Sequence, residues 1–178
     1  MATLVQAALA PVPLSAETLV LAPAGEWQFS EFDDRCRAAR EFGAGEDRTT
    51  LRIEQGGIEP NYNVTLIGRP LRHPHGGGVH VRFGEEPEFI RSYVSAKSSR
   101  DRPVLMMYGL RINRERPERG QIRTGPDTAF DIGRADEVTS LNLRTSIVQP
   151  LKLEIGPMIE PLGFLGLCGA KLSGVLSE

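Results

Sequence analysis

The sequence predicts a mainly β fold: an antiparallel sandwich or barrel-like sheet of about eight or nine strands, with one C-terminal helix. Three observations carry this expectation. Apolar and polar residues alternate in short runs such as Leu51-Arg52-Ile53-Glu54 and Val79-His80-Val81-Arg82-Phe83, the period of a half-buried strand. Glycine (19) and proline (13) are plentiful in 178 residues, which favours short elements joined by turns. Only the last segment changes period, to the three-and-four spacing of an amphipathic helix.

Residues 1–24 read as a leader or a remnant signal segment, and residues 25–178 as a single β-rich domain with its C-terminal helix. The leader is uncharged except for Glu17, and Ala8-Leu9-Ala10 has the form of a signal cleavage site. It lacks the basic start and longer apolar core of a secretory signal. Two readings stay open: the tail of a signal that starts upstream, or a flexible Ala/Pro-rich leader.

Trp27-Gln28-Phe29 opens the β pattern, and Asp33-Asp34 marks a turn. Residues 35–42, RCRAAREF, suit a helix or a strand; as a strand they put Cys36, Ala38 and Phe42 on one face. Residues 43–47 supply a turn. In Thr50–Gln55, Leu51 and Ile53 point inward, with Arg52 and Glu54 outward; Gly56-Gly57 ends the run. Tyr62–Ile67 follows, with Tyr62, Val64 and Leu66 on one side. Val79, Val81 and Phe83 face inward in the next strand, then come strands over Glu88–Val94 and Pro103–Ile112. Residues 113–128 lack apolar periodicity and read as a long polar loop. Leu141 and Leu143 mark one strand, and Leu151, Leu153 and Ile155 another. In Pro157–Val175, Leu162, Leu165, Cys168 and Leu172 form one helical stripe, weakened by its glycines.

Composition narrows the function classes. A net charge of −2, with 40% apolar and 25% charged residues, suits a soluble globular chain and not a dedicated nucleic-acid binder. No apolar run reaches the roughly 18–20 residues of a transmembrane helix. Nucleotide-cradling glycine motifs and the G-x-S-x-G elbow are both absent from the sequence.

All three histidines fall within eight residues: His73, His75 and His80. Three imidazoles with flanking glycines are a candidate zinc ligand set, with Glu85 or Glu86 as a fourth. Pro74, Gly76-Gly77-Gly78 and the alternation around His80 equally describe a polar connection between strands. The latter is the expected state, with no cofactor. Residues 129–133, AFDIG, resemble the apolar-Asp-Thr-Gly element of aspartic proteases, but Ile132 replaces the hydroxyl residue, so Asp131 reads as a turn aspartate. Arg111, Arg114, Arg116, Arg119 and Arg123 crowd one loop, a candidate anion-binding surface relieved by Glu115 and Glu118. Asn63-Val64-Thr65 matches an N-glycosylation sequon but falls in a strand.

The two cysteines, Cys36 and Cys168, lie far apart. In an exported chain they are expected to form a disulfide, closing a loop worth about 4–5 kcal/mol on the chain-entropy account. In a reducing compartment they would be two buried small apolar residues.

Trp27, Asp34-Arg35-Cys36-Arg37, Arg40-Glu41-Phe42-Gly43 and Leu51-Arg52-Ile53, followed by LKLEIGPM (151–158) and Cys168 on a helix, carry a resemblance. The chain resembles a group of uncharacterised exported bacterial proteins over residues 26–176. In some of them a similar β-rich domain precedes a TonB-like C-terminal domain. The resemblance implies an exported, periplasmic, non-catalytic domain with a Cys36–Cys168 link and no active site to transfer. A binding or accessory module with a protein partner in the cell envelope is therefore the leading expectation. The rivals are a metal-dependent protein built on the histidines and a cytoplasmic location.

Overall fold

The structure, a computed structural model, describes residues 16–57, 61–71, 78–112, 135–145 and 149–175. It is mainly β. The strands are β1 (Leu19–Leu21), β2 (Gln28–Glu31), β3 (Cys36–Phe42), β4 (Thr49–Gln55), β5 (Tyr62–Gly68), β6 (Val79–Phe83), β7 (Phe89–Arg91), β8 (Val94–Lys97), β9 (Pro103–Leu110), β10 (Leu141–Arg144) and β11 (Leu151–Leu153). One helix, α1 (Ile159–Leu172), follows them. Eleven strands exceed the expected eight or nine because two short ones were hidden in the sequence.

The strands form two open sheets in a sandwich-like arrangement, not a closed barrel. A five-stranded sheet runs β1-β11-β10-β6-β7, and a six-stranded sheet runs β2-β3-β4-β5-β9-β8. All described pairings are antiparallel except β1 with β11. Alternation explains the core. On β4, Leu51 and Ile53 are fully buried, and on β6 Val79, Val81 and Phe83 are no more than 1% exposed. These inward rows, with Leu66 and Met107 of the larger sheet and Leu141 and Leu153 of the smaller, make one cluster. Strand faces with period 2 supply that cluster directly.

The segment 35–42 is a strand despite its helix-favouring Ala, Arg and Glu. Both its edges are paired, to β2 and to β4, and local propensity yields to that pairing. Arg40 shares the inward parity of Cys36, Ala38 and Phe42. Its Nε donates to the Gly25 carbonyl at 2.7 Å and its Nη1 to the Ile155 carbonyl at 3.1 Å, so a charged side chain ties the rims of the two sheets.

Two expectations need correction. Leu19–Leu21 lay in the expected leader, yet they pair in parallel with β11, and Leu21 is only 4% exposed. The ordered fold therefore starts ahead of residue 25. The expected strand Glu88–Val94 is two strands, β7 and β8, one in each sheet.

Helix α1 lies against β2, β3 and β4. Three of its four expected stripe residues are buried, with Leu162 5%, Leu165 0% and Cys168 6% exposed, while Leu172 is partly buried against the core. Phe164 stacks beside Phe29 of β2 with ring centroids 4.8 Å apart. Cys168 is joined to Cys36 of β3 by a disulfide, with Cα atoms 6.0 Å apart. Among the described residues no helix is long and apolar enough to cross a membrane.

Candidate functional site: the β7–β8 corner and the histidine strand

The chain passes from one sheet to the other in the two residues between Arg91 and Val94. β7 is the last strand of the five-stranded sheet and β8 the last of the six-stranded sheet. Among the described residues no strand pairs with the outer side of β7 or of β8, and these two edges meet at one corner. Phe89 and Tyr93 turn inward and pack on the core. Ile90, between them, alternates outward and is 64% exposed; Val94 is 49% and Tyr108 54% exposed. Val94 pairs with Met106 of β9, and Tyr108 lies two residues further along β9. Arg91 stands over the Phe89 ring and donates to the Gly109 carbonyl at 3.2 Å, bracing the corner.

Edge strands are ordinarily shielded, because their unpaired N–H and C=O groups invite another strand. Here three large apolar side chains flank these edges. Backbone donors and acceptors beside apolar anchors can add an extended segment from a partner.

His80 sits on the outer face of β6, beside Arg144 of β10 and Ile90 of β7 in the register. Its Nδ1 lies 2.8 Å from Oε1 of Glu88, and Arg144 Nη2 donates to the same oxygen at 2.8 Å. An ionised carboxylate only accepts, so Nδ1 carries a proton, and in the neutral ring Nε2 is then the acceptor. The Arg144 hydrogen bond, with a smaller contribution from His80, lowers the Glu88 pKa below the usual carboxylate value. The sequence did not reveal Glu88 as this partner, because the link depends on the β6–β7 hairpin register.

Of the other expected site residues, His73 and His75 lie outside the described residues, as do Arg114, Arg116, Arg119, Arg123 and Asp131. Arg111 is exposed at the end of β9, with Nε 3.5 Å from the Asn61 Oδ1. No group of three or more His, Cys, Asp or Glu side chains is placed to hold a metal among the described residues. Asn63 is exposed on β5. Cys36 and Cys168 are the one expected pair that the fold brings together.

No protein-family model, curated protein or solved structure matches the chain.

Proposed function

We propose that the protein is a non-catalytic binding or accessory domain of the bacterial cell envelope, exported to an oxidising compartment, that docks a protein partner at the β7–β8 corner. The observation that carries this reading is the corner itself: two sheet-end strands, without an outer neighbour among the described residues, flanked by Ile90, Val94 and Tyr108, each about half exposed or more. The Cys36–Cys168 disulfide supports the export part, since such bonds persist outside reducing compartments. The resemblance to exported β-rich domains points the same way.

Photo-cross-linking in the native host tests it. A cross-linking residue at position 94 or 108 should give a discrete adduct in the envelope fraction. The same residue at position 160, exposed on α1, should give none. Absence of any adduct at the corner, or recovery of the chain with two alkylatable thiols from the cytoplasm, would refute the reading.

One observation favours a second reading, a zinc-binding protein that uses His80. Glu88 holds Nδ1 in the way that carboxylates orient metal-bound imidazoles, and this leaves Nε2 for a ligand. Zinc measured per chain in untagged protein decides it. Stoichiometric zinc lost in His80→Ala supports this reading, and metal-free folded protein excludes it.

A further inference from the structure

Two guanidinium groups on the outer face of the six-stranded sheet make no ion pair among the described residues. Leu51, Ile53, Leu66, Leu105 and Met107 fill the core, so parity turns Arg52, Glu54, Thr65, Ile67 and Val104 to the opposite side. Glu54 and Glu41 are carboxylates of this face, and both are engaged, Glu41 lying 3.5 Å from Arg48. Glu54 accepts from Arg37 Nε at 2.8 Å and lies 3.5 Å from Arg35 Nε. Arg52 has no hydrogen bond or ion pair among the described residues. The Arg102 side chain has none either, and its Nε is buried.

The register puts these two arginines on one face, two strands apart. Arg52 of β4 stands beside Thr65 of β5, and the next outward row holds Ile67 and Val104. Arg102 is the outward position just beyond Val104 on the same line. Ile67 and Val104 keep only 6% and 7% of their surface although they face away from the core. Burial, then the neighbouring Arg37, lowers the Arg52 pKa from its ordinary value; Glu54 opposes this and Arg102 adds to it. Arg37, Arg52 and Arg102 outnumber Glu54 here, and an excess of like charge in a partly desolvated place favours a further anion.

We propose that Arg52 and Arg102, with the Thr65 hydroxyl beside Arg52, form a binding site for a phosphate-type oxyanion. Each guanidinium offers a planar fork of donors matched to two oxygens of such a group. The hydroxyl supplies a further donor. A bound dianion reverses the repulsion between the two arginines and engages the buried Arg102 Nε. The site goes beyond the partner-docking reading and does not depend on it.

The full chain is titrated with inorganic phosphate at constant ionic strength, followed by amide chemical shifts. In parallel, sedimentation is measured with phosphatidylglycerol and with phosphatidylcholine vesicles. Arg52→Gln and Arg102→Gln should each weaken binding roughly tenfold, the loss expected for a charged hydrogen-bonded contact. Arg52→Lys keeps the charge but loses the fork, and should weaken binding less. Arg82→Gln removes an exposed arginine from the other sheet and should leave binding unchanged. Arg52→Gln should keep the wild-type melting temperature or raise it, which shows that the variant folds. Saturable phosphate binding that is lost in the two glutamine variants supports a free anion as the source. Binding to anionic vesicles alone, lost in the same variants, supports a lipid head group. The proposal is overturned if neither probe binds, if binding survives both glutamine variants, or if Arg82→Gln weakens it equally.

Discussion

Where α1 lies on β3 and β4, a covalent bond fastens the packing; where β7 hands over to β8, two strands have no outer neighbour among the described residues. At the first end Cys36 and Cys168 are bridged, and Gly169 rests so close to the Gly57 carbonyl that a Cβ would stand 2.3 Å from its oxygen. At the second, Ile90, Val94 and Tyr108 face water. The difference teaches how this chain divides its work. On the docking proposal, stability concentrated where the long loop closes would let the far corner keep an exposed apolar surface.

The largest effect should come from the bridge. Replacing both cysteines with alanine opens a link between residues 132 apart and should cost about 5 kcal/mol on the chain-entropy account. Urea denaturation with and without reductant measures it. A loss under about 1 kcal/mol would mean that packing alone holds the helix, and the contrast between the two ends would collapse.

Gly169→Ala comes next. The added methyl meets backbone, not a flexible side chain, so α1 must lift from β4 at a cost of about 1–3 kcal/mol. Gly163→Ala is the control: nothing lies within 4 Å of its Cβ position, and it should gain up to about 1 kcal/mol in helix propensity. Equal melting temperatures for the two variants would show that the helix seat is looser than its geometry.

These two ends also mark what the sequence could and could not reveal. The inward rows of β4, β5 and β6 and the buried stripe of α1 were legible, because each repeats its period over enough residues to stand out. The pairing of Cys36 with Cys168 was legible as an expectation, since two cysteines on apolar faces suffice to suggest it. β1 was not. A three-residue apolar run, Leu19-Val20-Leu21, carries no strand signal by itself, and its partner β11 lies far along the chain. The switch between sheets was hidden for a related reason. Residues 88–94 keep an extended pattern throughout, and only long-range pairing shows that β7 belongs to β6 and β8 to β9. Arg40 points inward against its hydropathy because the carbonyls it satisfies, on Gly25 and Ile155, come from distant segments. The same holds for Glu88, whose partners His80 and Arg144 sit on two other strands.

The Glu88 cluster lies at the corner end and should matter little for stability. Its side chain is 38% exposed, so solvent screens the pairs, and Glu88→Gln should cost less than about 1 kcal/mol. The pH dependence has a definite sign. Arg144 first, then His80, holds the folded-state pKa below the unfolded one. The contribution is therefore present above the unfolded carboxylate pKa and is lost as the pH falls through the lower, folded value. Melting temperatures of wild type and Glu88→Gln should converge in acid. A gap that widens in acid would mean that Glu88 is not held as an ion.

The smallest effect on stability should come from the corner's apolar residues, and it sharpens the contrast most. Ile90→Ser combined with Val94→Ser removes side chains that the fold leaves in water, so the melting curve should stay within about 0.5 kcal/mol of wild type. The same double variant should abolish the cross-link from position 108, because the anchors flanking both edges are gone. Stability lost together with the cross-link would mean that Ile90 and Val94 hold the corner closed. An unchanged cross-link in a stable variant would move the docking surface away from these edges. Only a stable protein with no adduct fits a corner kept open for a partner, at a distance from the disulfide that makes such openness tolerable.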